Sequence, residues 1–486
     1  MQDYHKILEK ETSLDPQDWA EMRSMAHTMV DDMMNYLETV AERPSWIPMP
    51  QSAKDAIRQP LPEEAMELNE VYNSFKINVL PYTKGNIHPR FTAWVQGTGT
   101  PLAMMADMLA SGMNPNTTIG EHSAMYVDKQ VIDWCKELLG FPSEATGMLV
   151  SGGSIANITG IIVARNSYGN IRAEGVQGMN QKMVMYCSSE THACVMKAAE
   201  VTGIGSDNVR KVNIGDDFRM QIIHLEQLIA EDKAAGYLPF CIVGNAGTVN
   251  TGAIDPLDEI LTVCKREKMW FHIDGAFGAL AKLAPEYHAQ LKALEEADSV
   301  AFDLHKWMYM PYEVGCVLFK NPTLHRAAFG GQPSYLLSHE RGIAAGPDPL
   351  TNYGMELSRG FKALKVYLSL QHHGAQAFRD LIRQNIAQSF YLGELISQNP
   401  DLELVTPVSC NVVCFRFVKK GLNEEALNAL NKEILMELHE RGLHVPSSTI
   451  LHGKYVIRCA NVNHRLRKTD YEALVEDVLK IGKELG

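Results

Sequence analysis

Lys306 is the residue of this chain best suited to covalent chemistry. It stands in Ser299-Val-Ala-Phe-Asp-Leu-His-Lys306-Trp-Met-Tyr, directly after an apolar run that reads as a buried strand. Partial desolvation lowers an amine's pKa, and a neutral amine can attack an aldehyde carbon to form an imine. For an arbitrary lysine at a strand end, reaching for solvent is the commoner explanation. Three other segments shift that balance, because each suits one part of an aldehyde that also carries a phosphate and a pyridine ring.

The first is a phosphate cradle. Gly147-Met-Leu-Val-Ser-Gly152-Gly153-Ser154 passes from an apolar run into a glycine pair, and Ile155 to Arg165 reads as an apolar helix. Glycines at a strand-to-helix turn let backbone N–H groups approach an anion, and the helix N-terminus adds partial positive charge. Ser154 is expected to serve as N-cap and as a hydroxyl ligand to the phosphate. The second is Asp274 in Lys268-Met-Trp-Phe-His-Ile-Asp274-Gly-Ala276, a carboxylate at the carboxyl end of a strand, where ligands of open α/β sheets bind. Such a carboxylate can keep a pyridine nitrogen protonated; as a lone residue it could equally cap the next turn. The third is His192, at the junction of an apolar strand and a helix in Met183-Val-Met-Tyr-Cys-Ser-Ser-Glu-Thr-His192-Ala-Cys. An imidazole there can stack on an aromatic ring and exchange protons near neutral pH, although a lone histidine at a helix start is more often a cap.

In chain order these are glycine cradle, His192, Asp274 and Lys306, each following an expected strand, and together they fit pyridoxal 5′-phosphate (PLP). The pattern resembles the PLP-dependent group II amino-acid decarboxylases, and within them the aromatic-amino-acid branch in a bacterial-type version. The resemblance runs from His88-Pro89-Arg90-Phe91 to the C-terminal region. It implies the aspartate-aminotransferase-like α/β fold (fold type I) and a homodimer. It also implies that Lys306 holds the cofactor, Asp274 pairs with the ring nitrogen, Ala276 lies beneath the ring and His192 stacks above it. Gly152, Gly153 and Ser154 would bind the phosphate with help from Asp303 or His305, and Thr248 would lie near the cofactor. Where this chain has Asp303 the family usually has asparagine or another polar residue, and a carboxylate near a phosphate is repulsive unless protonated or turned away.

The stretch from Ala328 to Leu350 is rich in glycine and proline and reads as a long loop of the kind that closes over active sites. By resemblance, its Tyr335 protonates Cα after carbon dioxide leaves, a position where related aldehyde synthases carry phenylalanine. Arg359 matches a family arginine and is expected near the substrate carboxylate or the loop. Trp94, Val95 and Gln96 fall in the segment that builds the side-chain pocket. Trp94 keeps an aromatic wall there, so Trp, Tyr or Phe are the expected substrates, while Gln96 and the following glycines would widen the pocket and leave other amino acids open.

The remaining composition sets bounds. At 486 residues the chain should hold more than one domain. No run of 18 apolar residues and no charged-then-apolar N-terminal signal is present, so the expectation is a cytoplasmic protein without a membrane span. Nine scattered cysteines, mostly in apolar segments, read as reduced core thiols. A net charge of −13 without a basic stripe speaks against nucleic acid. Residues 1–88 read as a helical segment, in which Asp15-Pro16 starts a helix and Trp19, Met22, Ala26, Met29, Met33, Leu37 and Val40 form a stripe needing a partner surface. Residues 89–375 alternate strand and helix, as a large PLP-binding domain with a parallel sheet requires, and residues 376–486 read as a small α/β domain. A metal enzyme using His272-x-Asp274 and Asp303-x-His305 is a competing reading that leaves Lys306 and the cradle unexplained. A non-catalytic dimer would be expected to have lost at least one of Lys306, Asp274, His192 and Tyr335.

Overall fold

The computed structural model describes Leu8, residues 11–331 and residues 339–486. The N-terminal part is helical, with α1 (Trp19–Glu38), α2 (Leu68–Asn78), α3 (Pro101–Met113) and α4 (Ser123–Leu139). The first of these starts three residues later than Pro16, because the Asp18 carboxylate caps it by accepting from Ala20 N at 2.7 Å and Glu21 N at 3.2 Å. No residue of α1 is buried, and Trp19 keeps 60% of its surface, so the first half of its apolar stripe is uncovered in the single chain while Met29, Met33 and Leu37 are half-buried. It is tied to α2 by Tyr72 Oη donating to Asp32 at 2.9 Å.

The central layer is a seven-stranded sheet. Its strands are β1 (Thr146–Val150), β2 (Met183–Ser188), β3 (Val209–Val212), β4 (Leu238–Asn245), β5 (Trp270–Asp274), β6 (Ser299–Asp303) and β7 (Gly315–Phe319), ordered β1-β7-β6-β5-β4-β2-β3. Helices α5 (Gly153–Asn166), α6 (Ala193–Val201), α7 (Ile222–Ala234) and α8 (Leu257–Glu267) connect them. Strands β2 and β5 to β7 are buried along their whole length, as a sheet covered on both faces demands, which is why they read as continuous apolar runs. The sheet is mixed rather than wholly parallel: β7 runs against both β1 and β6, and the other neighbours are parallel.

A short helix, α9 (Leu304–Trp307), carries Lys306 directly out of β6. Its flanks are pinned to α10 (Ala363–Ser397), where Asn385 Oδ1 accepts from Trp307 Nε1 at 3.1 Å and from Tyr309 Oη at 2.8 Å. Helix α10 kinks at Gly374 (φ 72°), where we propose the division between large and small units. Beyond it, β8 (Leu402–Leu404), β9 (Val412–Phe417), β10 (Ser447–Leu451) and β11 (Lys454–Ala460) form an antiparallel sheet in the order β10-β11-β9-β8. Helices α11 (Glu424–Glu440) and α12 (Lys468–Leu485) pack on it around Ile434, Phe415 and Val478. Residues 88–92 belong to this unit by their contacts: Ala460 N donates to Thr92 O at 2.9 Å and Asn463 Nδ2 to His88 O at 2.8 Å. All nine cysteines are buried and unpaired. Among the described residues no helix is long and apolar enough to cross a membrane.

Candidate active site

Five strands of the large sheet end at one cavity of about 480 Å³. From β1 the chain turns through Ser151 and Gly152 into α5. The N-cap is Gly152, so the helix begins at Gly153 and Ser154 lies in its first turn, exposed, rather than capping it. The glycines are required by close approach. A Cβ on Gly153 would lie 2.8 Å from Asp303 Oδ2, and one on Gly152 would lie 3.1 Å from His305 Cε1. The first N–H groups of a helix have no intrahelical partner, so this turn presents donors to an anion.

From β5 comes Asp274, 5% exposed, with Oδ1 accepting from Ala276 N at 3.2 Å and Oδ2 lying 3.9 Å from Cys194 Sγ. His192 caps α6: its Nδ1 accepts from Cys194 N at 3.2 Å, which leaves the proton of the neutral ring on Nε2. The capping role and a place on the cavity wall are compatible, since His192 lines the cavity beside Cys194.

From β6 come Asp303, His305 and Lys306. Lys306 Nζ lies 2.8 Å from Asp303 Oδ2, and Asp303 is almost wholly buried, with Oδ1 lacking a hydrogen-bond partner among the described residues. His305 is buried, its Nδ1 accepts from Val314 N at 3.2 Å, and burial lowers its pKa. His272, the other half of the metal-ligand alternative, has both ring nitrogens engaged, by Ser299 and Asn157. Among the described residues no three His, Cys, Asp or Glu side chains gather as a metal set.

Trp94, Val95 and Gln96 line the cavity's outer wall with Tyr312 and Phe277. Trp94 has a positive φ of 51° and Lys84 Nζ 4.2 Å from its ring centroid. Gly97 does not widen the pocket; a Cβ there would fall 2.0 Å from His305 O, so the glycine lets this wall close over the Lys306 segment. Arg458, in β11, is a residue that sequence reasoning missed. It is 3% exposed and donates to Trp94 O at 2.9 Å, Asn250 O at 3.0 Å and Ser447 Oγ at 3.1 Å, tying the small unit to two walls of the cavity. Its signal was a lone arginine inside an apolar strand.

Two expected site residues do not line the cavity, and a third is not among the described residues. Thr248 is buried with its hydroxyl 3.0 Å from Thr251 Oγ1, while its neighbours Gly247 and Val249 line the cavity. Arg359 does not line it either: its guanidinium is buried, donating to Leu149 O at 2.7 Å and lying 3.6 Å from Asp128 Oδ2, where it braces the end of β1. Tyr335 lies outside the described residues.

The residues present fit PLP. The cavity brings together an amine, a carboxylate accessible to a ring nitrogen, an imidazole N–H and a glycine turn at a helix N-terminus. Comparison with known proteins agrees. The pyridoxal-dependent decarboxylase conserved domain matches residues 50–418. An aromatic-L-amino-acid decarboxylase from Bacillus atrophaeus is 33% identical over 95% of each chain, and a phenylacetaldehyde synthase from Arabidopsis thaliana is 27% identical over 92% of this chain and 93% of its own. The crystal structure of Oryza sativa TDC with PLP and tryptamine superposes with a TM-score of 0.88 at 23% identity, covering 97% of this chain and all of the other. The fold is therefore that of the fold-type-I enzymes, and this chain belongs to the pyridoxal-dependent decarboxylase family, as a carboxy-lyase that uses PLP.

Proposed function

We propose that the protein decarboxylates an aromatic L-amino acid, Trp, Tyr or Phe, to the corresponding amine and carbon dioxide. The observation that carries the choice of substrate is the Trp94 indole on the cavity's outer wall, next to Val95. The identity with the Bacillus atrophaeus decarboxylase points the same way.

Bound PLP supplies the electron sink for the breaking Cα–carboxylate bond. Lys306 is the amine that anchors the cofactor, and the N–H groups at Gly152, Gly153 and Ser154 hold its phosphate. Asp274 would keep the ring nitrogen protonated, and Ala276 and His192 would contact the ring from the cavity wall. The wall at Trp94, Val95 and Gln96 would orient the substrate and so select which Cα bond breaks. Tyr335 delivers the proton to Cα, with His192 the alternative donor. The uncovered apolar faces of α1 and α3, including Trp19, Met22, Met108 and Met113, support a homodimer.

The test is a substrate panel under one set of conditions, with carbon dioxide and amine both quantified. Tryptophan, tyrosine or phenylalanine should exceed glutamate and histidine in kcat/KM by at least about a hundredfold, the scale of discrimination a shaped pocket provides. A preference for glutamate or histidine would overturn the aromatic assignment. The likeness to an aldehyde synthase keeps one other reading open, in which the product is aldehyde rather than amine.

A further inference from the structure

Beneath the cavity a row of hydrogen bonds runs in a single direction toward Asp274. Trp270 Nε1–H can only donate, and does so to Ser299 Oγ at 2.8 Å. Ser299 Oγ in turn lies 2.7 Å from His272 Nδ1 and donates its hydroxyl hydrogen bond to that nitrogen. The neutral imidazole then carries its hydrogen on Nε2, 2.8 Å from Asn157 Oδ1. Burial lowers His272 to about 3, so the ring stays neutral. The Asn157 amide, its oxygen so engaged, donates to Gly153 O at 2.8 Å and lies 3.5 Å from Cys194 Sγ. Burial pushes the Cys194 thiol up, so it remains S–H, and Asp274 Oδ2 is 3.9 Å away to receive that hydrogen. The arrangement is tight: a Cβ on Gly160 would lie 2.5 Å from His272 Cε1.

We propose that Cys194 is a positioning residue for Asp274: its S–H, oriented by this row, holds the carboxylate in a weakly basic form that leaves the shared proton on the cofactor's ring nitrogen. The inference rests on the pairing of Asp274 with that nitrogen. The physical reason is that each hydrogen bond donated to a carboxylate lowers its affinity for a proton. Asp274 receives two such bonds from the chain, Ala276 N–H on one oxygen and Cys194 S–H on the other. Losing the second makes the carboxylate a stronger competitor for the ring proton, and a neutral ring withdraws electrons less well. No bond is made or broken in the chain itself; only the position of one proton changes.

The test uses holoenzyme loaded with PLP labelled with nitrogen-15 in the ring, read by solid-state NMR at one fixed pH. The wild type should give the protonated-ring signal. In Cys194→Ala that signal should move toward the unprotonated value, with kcat down about tenfold and KM within about twofold, the scale of losing an outer hydrogen-bond partner. Cys194→Ser, whose hydroxyl lies closer to its own Cβ and so farther from Asp274 than the thiol, should recover both only in part. Ser299→Ala, which frees the orientation of His272, should shift the same signal the same way by less, and it serves if Cys194→Ala does not fold. An unmoved signal in the Ala variants, or a Ser variant as impaired as Cys194→Ala, would overturn the inference while leaving the cofactor assignment intact. An unprotonated ring in the wild type would instead overturn the Asp274 pairing, and this inference with it.

Discussion

Lys306 Nζ lies 2.8 Å from Asp303 Oδ2, so the amine proposed to anchor the cofactor is ion-paired with a carboxylate three residues upstream. That carboxylate is 1% exposed and is walled by glycine: a Cβ on Gly315 would lie 2.7 Å from its Oδ1. A buried anion keeps its place only while a cation or donors satisfy it. With Lys306 bonded to the cofactor as proposed, its nitrogen is no longer a free ammonium for Asp303, and a phosphate would occupy the neighbouring turn.

Asp303→Asn should therefore separate two effects. The empty protein should lose about 2 kcal/mol of stability, the scale of a charge-assisted hydrogen bond. PLP should bind at least about tenfold more tightly, since a repulsive neighbour worth roughly 1.4 kcal/mol is gone. Urea unfolding of the apoprotein and equilibrium dialysis with PLP measure the two, and weaker PLP binding by the variant would contradict the account.

We propose that Arg359 is a brace rather than a substrate contact. Arg359→Ala leaves Asp128 buried without its 3.6 Å partner, and burial already raises the carboxyl pKa of Asp128. The variant should lose about 3 kcal/mol of unfolding free energy, as expected for breaking a buried pair, with substrate KM within about twofold of wild type. A large rise in KM with unchanged stability would put Arg359 at the substrate after all.

Acid should weaken the fold through its buried histidines. Burial takes His88 and His464 from 6.5 to about 4, and His272 and His325 from 6.5 to about 3. The unfolded chain thus binds more protons than the folded one between these values. Stability from these groups is complete above pH 6.5 and is lost as pH falls toward 4 and 3, each group contributing up to about 1.4 kcal/mol per pH unit. Urea midpoints should fall between pH ~7 and ~5, and His464→Gln should flatten the slope by one group's share. A midpoint independent of pH would contradict this.

Tyr335→Phe tests the proton donor. If the Tyr335 hydroxyl protonates Cα, the variant should lose most of its amine yield and release aldehyde, ammonia and peroxide when oxygen is present, while retaining PLP. Product analysis of wild type and variant with one aromatic amino acid reads this directly. An unchanged amine yield would move the proton donor to His192.

The chemistry was more legible in the sequence than its surroundings were. Lys306, Asp274 and His192 stand out because each is a polar residue at the end of an apolar strand, and strand ends are where a covered α/β sheet meets solvent. Direction is invisible in such runs: Gly315–Phe319 reads the same whichever way β7 points, so the mixed sheet emerged only in the structure. Side-chain rotation is equally silent. Thr248 follows a strand as Asp274 does, yet its hydroxyl turns to Thr251. Arg359 and Arg458 are charged residues near apolar segments, and nothing in their spacing says that one braces β1 while the other clamps the cavity wall. Ser154 is a favoured cap residue, but the glycine turn starts the helix before it.

The central claim is that PLP is held on Lys306. Purified holoprotein, reduced with borohydride and digested, should show by mass spectrometry a pyridoxyl group on the peptide that contains Lys306, with the visible absorbance of the cofactor lost on reduction. Lys306→Ala should show no such adduct and no turnover. A pyridoxyl group fixed on another lysine, or amine production that persists in Lys306→Ala, would contradict the account.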